Sequence, residues 1–279
     1  MQQLTHTSLF SGIGGFELGI EAAGVDHIIR TGLFIENNPD AQAVLRRRYP
    51  RIPIHSDIRN YYPKPGEFKL YTIGFPCTGT SIAGDGSGLE HPESSLWFDA
   101  LRCIADGRPS FVIIENPTGI IHNGLRAVLG GLRMVGYCWE PPQIISAADL
   151  GAPHERQRLF IIAYTNDVSK RIGKVPTGWD EQIRAEVEAI HSQRRQVTPS
   201  SAGVDDGIPS WLGRASIGGH WGTTISSAPT YPGTGHHINN RRHCVDLYGR
   251  AVTPQQAAIA IKRVCYLAEL AGLISNNNH

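Results

Sequence analysis

Cys77 stands behind a proline in GFPCTGTSIAG, Gly74 to Gly84, among glycine, threonine and serine rather than the apolar neighbours of a space-filling thiol. An ordinary thiol is only a few per cent thiolate at neutral pH, but a helix start or a nearby cation lowers its pKa and makes it a nucleophile. Loop context alone is equally compatible with a small residue at a tight turn. Glu115 closes an apolar run in FVIIENP, which predicts a desolvated carboxyl able to donate or share a proton. Arg156 and Arg158 alternate in HERQRLF, so an extended segment points both to one face. Two guanidiniums on one face suit a phosphate or a polar base edge, and a solvated edge is the competing reading.

A second group of residues is suited to holding a ligand. FSGIGGFELG, Phe10 to Gly19, sets glycines at Gly12, Gly14 and Gly15, where a tight turn or a close approach to a ligand needs them. The following strand ends in Glu36, suited to ribose hydroxyls, and a nucleoside-containing cofactor is the natural tenant. The dinucleotide spacing G-x-G-x-x-G is not met, because Glu17 stands three residues after Gly14. An acid there is expected to repel a pyrophosphate, which favours a cofactor without phosphates. Asp57, after a short third strand, is placed to accept from an adenine amino group, or is a solvated loop aspartate.

The elements that must position these residues alternate through the first 165 residues. THTSLF, HIIRTGLFIEN, YTIGFP, SFVIIEN and RLFIIAY read as buried strands, with helical patterns in GGFELGIEAAG, AQAVLRRRYP, SLWFDALRCIADG and GLRAVLGGLRMVG. This is the βαβ pattern of an open, mostly parallel sheet with helices on both faces, which binds ligands beyond the carboxyl ends of its strands. FSGIGG, IEN, GFPC and IENP all fall there. From 166 to 245 glycine, serine, proline, threonine and histidine dominate, and only EQIRAEVEAIH is a clear helix, as expected for a small separate module. An amphipathic stretch within 246–279, TPQQAAIAIKRVCYLAELAG, is expected to return to the first domain.

The totals exclude more than they identify. No apolar run of the 279 residues approaches a membrane span, and the start lacks the marks of a secretory signal, so the expected compartment is the cytoplasm. Five scattered cysteines without a C-x-x-C pair form neither a disulfide framework nor a zinc site, and no metal is expected. The net charge of +1 leaves the partner undecided.

In order, FSGIGG, IEN, SDI, GFPC, IENP, RQR and YGRAV resemble the motif set of the DNA (cytosine-5) methyltransferases, over residues 7–165 and 246–263. The resemblance implies a Rossmann-like class I methyltransferase fold over 1–165 and 246–279, a target-recognition domain over 166–245, S-adenosylmethionine as cofactor and double-stranded DNA as substrate. It makes Cys77 the nucleophile toward carbon 6 of a flipped-out cytosine, Glu115 the group that meets ring nitrogen 3, and Arg158 a contact of the base carbonyl. Arg156 then supports the loop and the DNA backbone, and Asn116 holds the Pro76–Cys77 turn. Cofactor contacts fall on Phe10, Ser11, Gly12, Ile13, Gly14, Gly15, Glu36, Asn37, Asp57, Ile58, Gly74, Pro76, Leu96, Ala251 and Val252, and DNA contacts on Ser81, Arg156, Arg241 and Arg242. Thr78, Pro117, His154 and Arg250 depart from the residues usual in the family at those places.

The implied recognition region holds nine basic side chains against seven acids between Asn166 and Asp246, with Trp179, Trp211 and Trp221 among them. Such residues supply phosphate contacts for affinity and base-edge contacts for sequence choice. The expected enzyme acts as a monomer, in restriction-modification beside a cognate endonuclease or as a solitary or phage methyltransferase. Transfer RNA as substrate, an inactive DNA-binding protein and a nicotinamide oxidoreductase are the competing readings.

Overall fold

The computed structural model describes residues 3–76, 95–152, 154–195 and 251–275. Eight strands form its sheet: β1 (Leu4–Leu9), β2 (Ile29–Ile35), β3 (Ile54–His55), β4 (Leu70–Ile73), β5 (Phe111–Pro117), β6 (Tyr137–Trp139), β7 (Gln143–Ser146) and β8 (Gln157–Thr165). They lie in the order β3-β2-β1-β4-β5-β8-β6, with β7 also beside β8. The first five strands are parallel. β8 runs antiparallel to the whole of β5, and antiparallel to β6 and β7 on its other edge.

The sheet is mostly parallel, as expected, and its antiparallel edge has a local cause. Only residues 147–156 join β7 to β8, fewer than a parallel crossover with its helix requires. β6 and β7 are one strand interrupted at Pro141 and Pro142, which carry no N–H for a ladder.

Alternation along the strands builds two cores, one on each face. Phe111, Ile113, Phe160 and Ile162 join one core, with Phe16 and Ile20 of α1 (Gly15–Ala22) and Ile261, Val264 and Leu267 of a C-terminal helix, Pro254–Leu270. Val112, Ile114, Leu159 and Ile161 join the other, with Trp97 and Ile104 of α3 (Leu96–Gly107) and Val128 and Leu132 of α5 (Leu125–Met134). α2 (Pro39–Arg48) follows β2, capped by the Asn38 side chain, and the short α4 (Ile120–Asn123) precedes α5. Helices therefore cover both faces, as the sequence pattern predicts.

The segment after β8 also joins the first core. α6 (Asn166–Ile172) and α7 (Trp179–Arg195) bury Val168, Ile172 and Trp179 in it. The C-terminal helix, α8, returns as expected and crosses α1 closely: a Cβ on Gly19 would stand 2.7 Å from that of Ala257. The buried Arg263 of α8 donates to both oxygens of Glu140, through Nε at 2.6 Å and Nη2 at 2.5 Å, and to the Thr177 carbonyl at 2.9 Å. Residues 166–195, the start of the stretch whose composition changes, are thereby tied into the same body as the sheet. No helix among the described residues is long and apolar enough to cross a membrane.

Candidate active site

The sheet order reverses between β1 and β4, and the crevice at such a switch point receives ligands because the two following connections diverge. β4 leads through Gly74 and Phe75 to Pro76. The Asn116 side chain, at the end of β5, donates to the Phe75 carbonyl at 3.2 Å and so holds the approach to that proline from the neighbouring strand. Phe75 packs on Trp97 with ring centroids 5.5 Å apart. Cys77 and Ser81 lie outside the described residues, as do Arg241 and Arg242.

Glu115 is opposite Phe160 in the β5–β8 register and Pro117 is opposite Arg158, so Glu115 and Arg158 are diagonal neighbours on one face. Arg158 Nε donates to Glu115 Oε1 at 2.9 Å, with both side chains largely withdrawn from solvent. Burial pushes the Glu115 carboxyl above the usual carboxylate range, and the charges of Arg158 and Arg156 pull it part of the way back. Beside this pair, Thr118, His154, Glu155, Arg156, Gln157 and Arg158 line an open cavity of about 390 Å³. Burial and the Arg156 charge lower the His154 pKa, which favours its neutral imidazole. Arg156 reaches across the chain: its Nη2 donates to the Ala251 carbonyl at 2.7 Å.

The glycine loop closes the other side. Ser11 ties β1 to β2, its hydroxyl bonding the Ser8 carbonyl at 2.8 Å and the Ile35 carbonyl at 3.3 Å. Ile13 is buried, and Gly14, at φ +88°, forms the left-handed turn into α1. Gly15 cannot bear a side chain because Val252 backbone and side-chain atoms occupy the Cβ position. Val252 also abuts Gly74, so Ala251–Val252 lies between the glycine loop and the end of β4. Glu36 is buried at the end of β2, where its two oxygens accept the Gly12 N–H at 2.7 Å and the Asn38 N–H at 2.8 Å; Asn37 between them is exposed. Burial raises the Glu36 pKa against those N–H groups and that of Asn37.

Ile58 belongs to the second core, and Phe10 and Leu96, from two other parts of the chain, pack against that core. Phe10 holds φ +58°, a region that bulky side chains rarely adopt, and such strain concentrates at ligand sites. Asp57 caps the 3₁₀ turn Ile58–Asn60, and both its oxygens accept from Arg59, which lowers its pKa. Its carboxylate is thus engaged by Arg59 in this structure. Glu17 lies elsewhere than the sequence suggests. Rather than facing a ligand, it is buried below Gly14, its Oε1 3.9 Å from His6 Nδ1. The third residue of α1 faces the sheet, so Glu17 offers no argument against a phosphate.

Two residues that the motifs do not mark also shape the site. Arg102 of α3 donates to the carbonyls of Tyr61 and Ile58, each at 2.8 Å, and stacks 4.7 Å from the Tyr62 ring centroid, which fixes the Ile58 turn. Gln256 of α8, fully buried, donates through Nε2 to the carbonyls of Ile145 and Arg156, each at 2.6 Å. Arg102 sits on the polar face of an amphipathic helix and gives no signal. Gln256 gives one, as an amide among the small apolar residues of QQAAIAI.

A buried carboxylate at the end of β2, apolar side chains at Phe10, Ile58 and Leu96, and a glycine loop packed on Val252 are together suited to a nucleoside. The sheet order, with its antiparallel β8, and this crevice define an α/β methyltransferase fold. The chain belongs to the C-5 cytosine-specific DNA methylase family, whose model matches residues 4–207. It is 34% identical over 164 residues to the Type II methyltransferase M.CviJI of Paramecium bursaria Chlorella virus IL3A, covering 57% of this chain and 42% of that one. It is 30% identical over 171 residues to the Type II methyltransferase M.HpaII of Haemophilus parainfluenzae, covering 58% and 46%. The chain spans about half the length of the curated relatives it matches. Among solved structures, the S. pombe Dnmt2 methyltransferase superposes with a TM-score of 0.52 at 21% identity, over 65% of this chain and 55% of that one, a likeness of fold.

Proposed function

We propose that the protein is a sequence-specific DNA (cytosine-5) methyltransferase that uses S-adenosylmethionine and passes through a covalent adduct with Cys77. The observation that carries this reading is the buried Glu115–Arg158 pair at adjacent strand ends, beside the β4 turn that leads to Cys77, in a chain of this family. When bound, S-adenosylmethionine supplies an electrophilic methyl group on a sulfonium.

Carbon 5 of cytosine is a poor nucleophile within its aromatic ring. The Cys77 thiolate forms a bond to carbon 6, and the ring electrons move toward carbon 5 and nitrogen 3. Glu115, its carboxyl raised by burial, meets nitrogen 3 and the amino group and supplies or shares the proton that offsets the charge there. Arg158 holds Glu115 in place and faces the base carbonyl. Carbon 5 takes the methyl, leaving the carbon–sulfur bonding pair on the departing S-adenosylhomocysteine; carbon 5 then loses its proton to solvent, and the returning electron pair expels the Cys77 thiolate. Because a stacked base exposes neither carbon, the cytosine leaves the duplex, at a cost of a few kcal/mol.

Glu36 holds the ribose, with Phe10, Ile58 and Leu96 against the adenine and Val252 closing the glycine loop. Arg241, Arg242 and Ser81 contact DNA, and sequence choice resides in the recognition region. The enzyme acts as a monomer in the cytoplasm, in restriction-modification with a cognate endonuclease or as a solitary methyltransferase.

The test is transfer of a labelled methyl from S-adenosylmethionine to duplex DNA. Wild-type protein is expected to label DNA, and Cys77→Ala to leave it unlabelled while retaining affinity for S-adenosylhomocysteine. Labelling by the alanine variant at the wild-type rate would remove Cys77 from the mechanism. Bisulfite sequencing of DNA from expressing cells then reads the target site.

A further inference from the structure

Gln256 joins parts of the chain that the motifs leave separate. It lies in the first turn of α8, four residues after the Val252 that packs on the glycine loop, and is fully buried. Its amide nitrogen bridges two carbonyls, that of Ile145 in β7 and that of Arg156 at the entry to β8. Arg156 in turn closes a loop back to Ala251 through its guanidinium. Two residues further on, Arg158 bonds Glu115. The chain entering β8 is thus held at its backbone by α8 and at its side chain by the segment that precedes α8.

We infer that Gln256 is a positioning residue for methyl transfer, fixing the backbone from which Arg158 reaches Glu115 and the base. The inference rests on the proposed cytosine methylation. A second donor at this point has a physical purpose. Arg156 and Arg158 flank an exposed Gln157 at the mouth of the 390 Å³ cavity, where ladder bonds alone hold a strand end weakly. A reacting group displaced by about 1 Å loses on the order of a hundredfold in rate, so a buried bridge at that end protects the geometry of the Glu115–Arg158 pair. The two carbonyls that Gln256 holds belong to β7 and to the entry of β8, the strand that carries Arg158, so its effect falls on the base side of the site.

The test uses Gln256→Met, which keeps the side-chain length and removes the donor. Initial rates of labelled methyl transfer to unmethylated duplex DNA are measured across S-adenosylmethionine concentrations. The expected result is a kcat lower by roughly ten- to a hundredfold, with KM for S-adenosylmethionine within about twofold of wild type. Amide hydrogen exchange should accelerate in a peptide covering residues 154–160 and remain as in wild type across β4. An unchanged kcat, a joint worsening of kcat and KM, or exchange accelerated throughout the sheet overturns the inference. If the methionine variant does not fold, Gln256→Asn, which keeps an amide one methylene short of the two carbonyls, is expected to give the same split with a smaller kcat loss. A wild-type protein that labels no DNA would refute the proposed function. The exchange pattern would still judge the bridge.

Discussion

Glu17 and His6 form a buried polar pair that takes no part in the proposed chemistry. Nδ1 of His6 lies 2.9 Å from the Thr31 hydroxyl and its Nε2 2.8 Å from that of Thr72, and burial drives its pKa down to about 3. His6 is therefore neutral at working pH, and its 3.9 Å approach to Glu17 is not an ion pair there. Burial raises Glu17 to about 7 from an ordinary 4.5, with the Glu21 charge adding to the rise and the Ser8 hydroxyl opposing it. Below 4.5 Glu17 is protonated in both states; between 4.5 and 7 the unfolded chain releases a proton that the folded chain keeps, so stability falls as pH rises. Above 7 the loss is complete, on the order of a few kcal/mol. Glu17→Gln should therefore gain on wild type as pH rises through that window and hold a constant difference beyond it. Urea unfolding from pH 4 to about 8.5 measures it, and a pH-independent difference would contradict the assignment.

At the scale of elements, Arg102 shows how a helix far along the chain shapes a loop of the proposed cofactor crevice. α3 presents Arg102 to the carbonyls of Ile58 and Tyr61, and Ile58 belongs to the core on which Phe10 and Leu96 pack. Arg102→Met preserves much of the packing and removes both donors. It should weaken S-adenosylhomocysteine binding roughly tenfold, about the worth of one charge-assisted hydrogen bond. kcat at saturating S-adenosylmethionine should stay near wild type, because the carbonyls that Arg102 holds belong to the Ile58 turn and not to the strand ends that carry Glu115 and Arg158. Calorimetry and steady-state kinetics read the two parts separately, and unchanged affinity would show that Ile58 keeps its place without Arg102.

Arg102 also marks the limit of what the sequence made legible. Strands β1, β2, β4, β5 and β8 and the main helices could be read because a buried strand or an amphipathic helix writes its period into the chain. β6 and β7 escaped because Pro141 and Pro142 break one strand into pieces too short to show a period. The direction of β8 escaped because alternation carries no information on strand polarity. Within the site, Glu115 at the end of an apolar run predicted its own desolvation. Glu17 misled, since its orientation depends on which face of α1 meets the sheet. Gln256 and Arg102 act through backbone carbonyls, whose positions only the folded chain defines.

For the whole molecule, an element that finishes one core lies well beyond the sheet in sequence. Residues 4–207 match the family model, yet one core of the sheet is finished by α8, beyond that span. Ile259, Ile261, Val264 and Leu267 are buried there, and Ala257 packs against Gly19 of α1. Removing a single buried aliphatic side chain of this kind costs about 2–5 kcal/mol, whereas a whole domain is stable by about 5–15 kcal/mol. Loss of the four together, with the Arg263–Glu140 pair, exceeds what the remaining contacts can offset. A chain ending at residue 250 should therefore show no cooperative thermal transition and no near-ultraviolet circular dichroism. A separate peptide of residues 246–279 should restore both when added in excess, because it carries the missing face of the core. A truncated chain that melts cooperatively by itself would mean that α8 covers a core already stable without it.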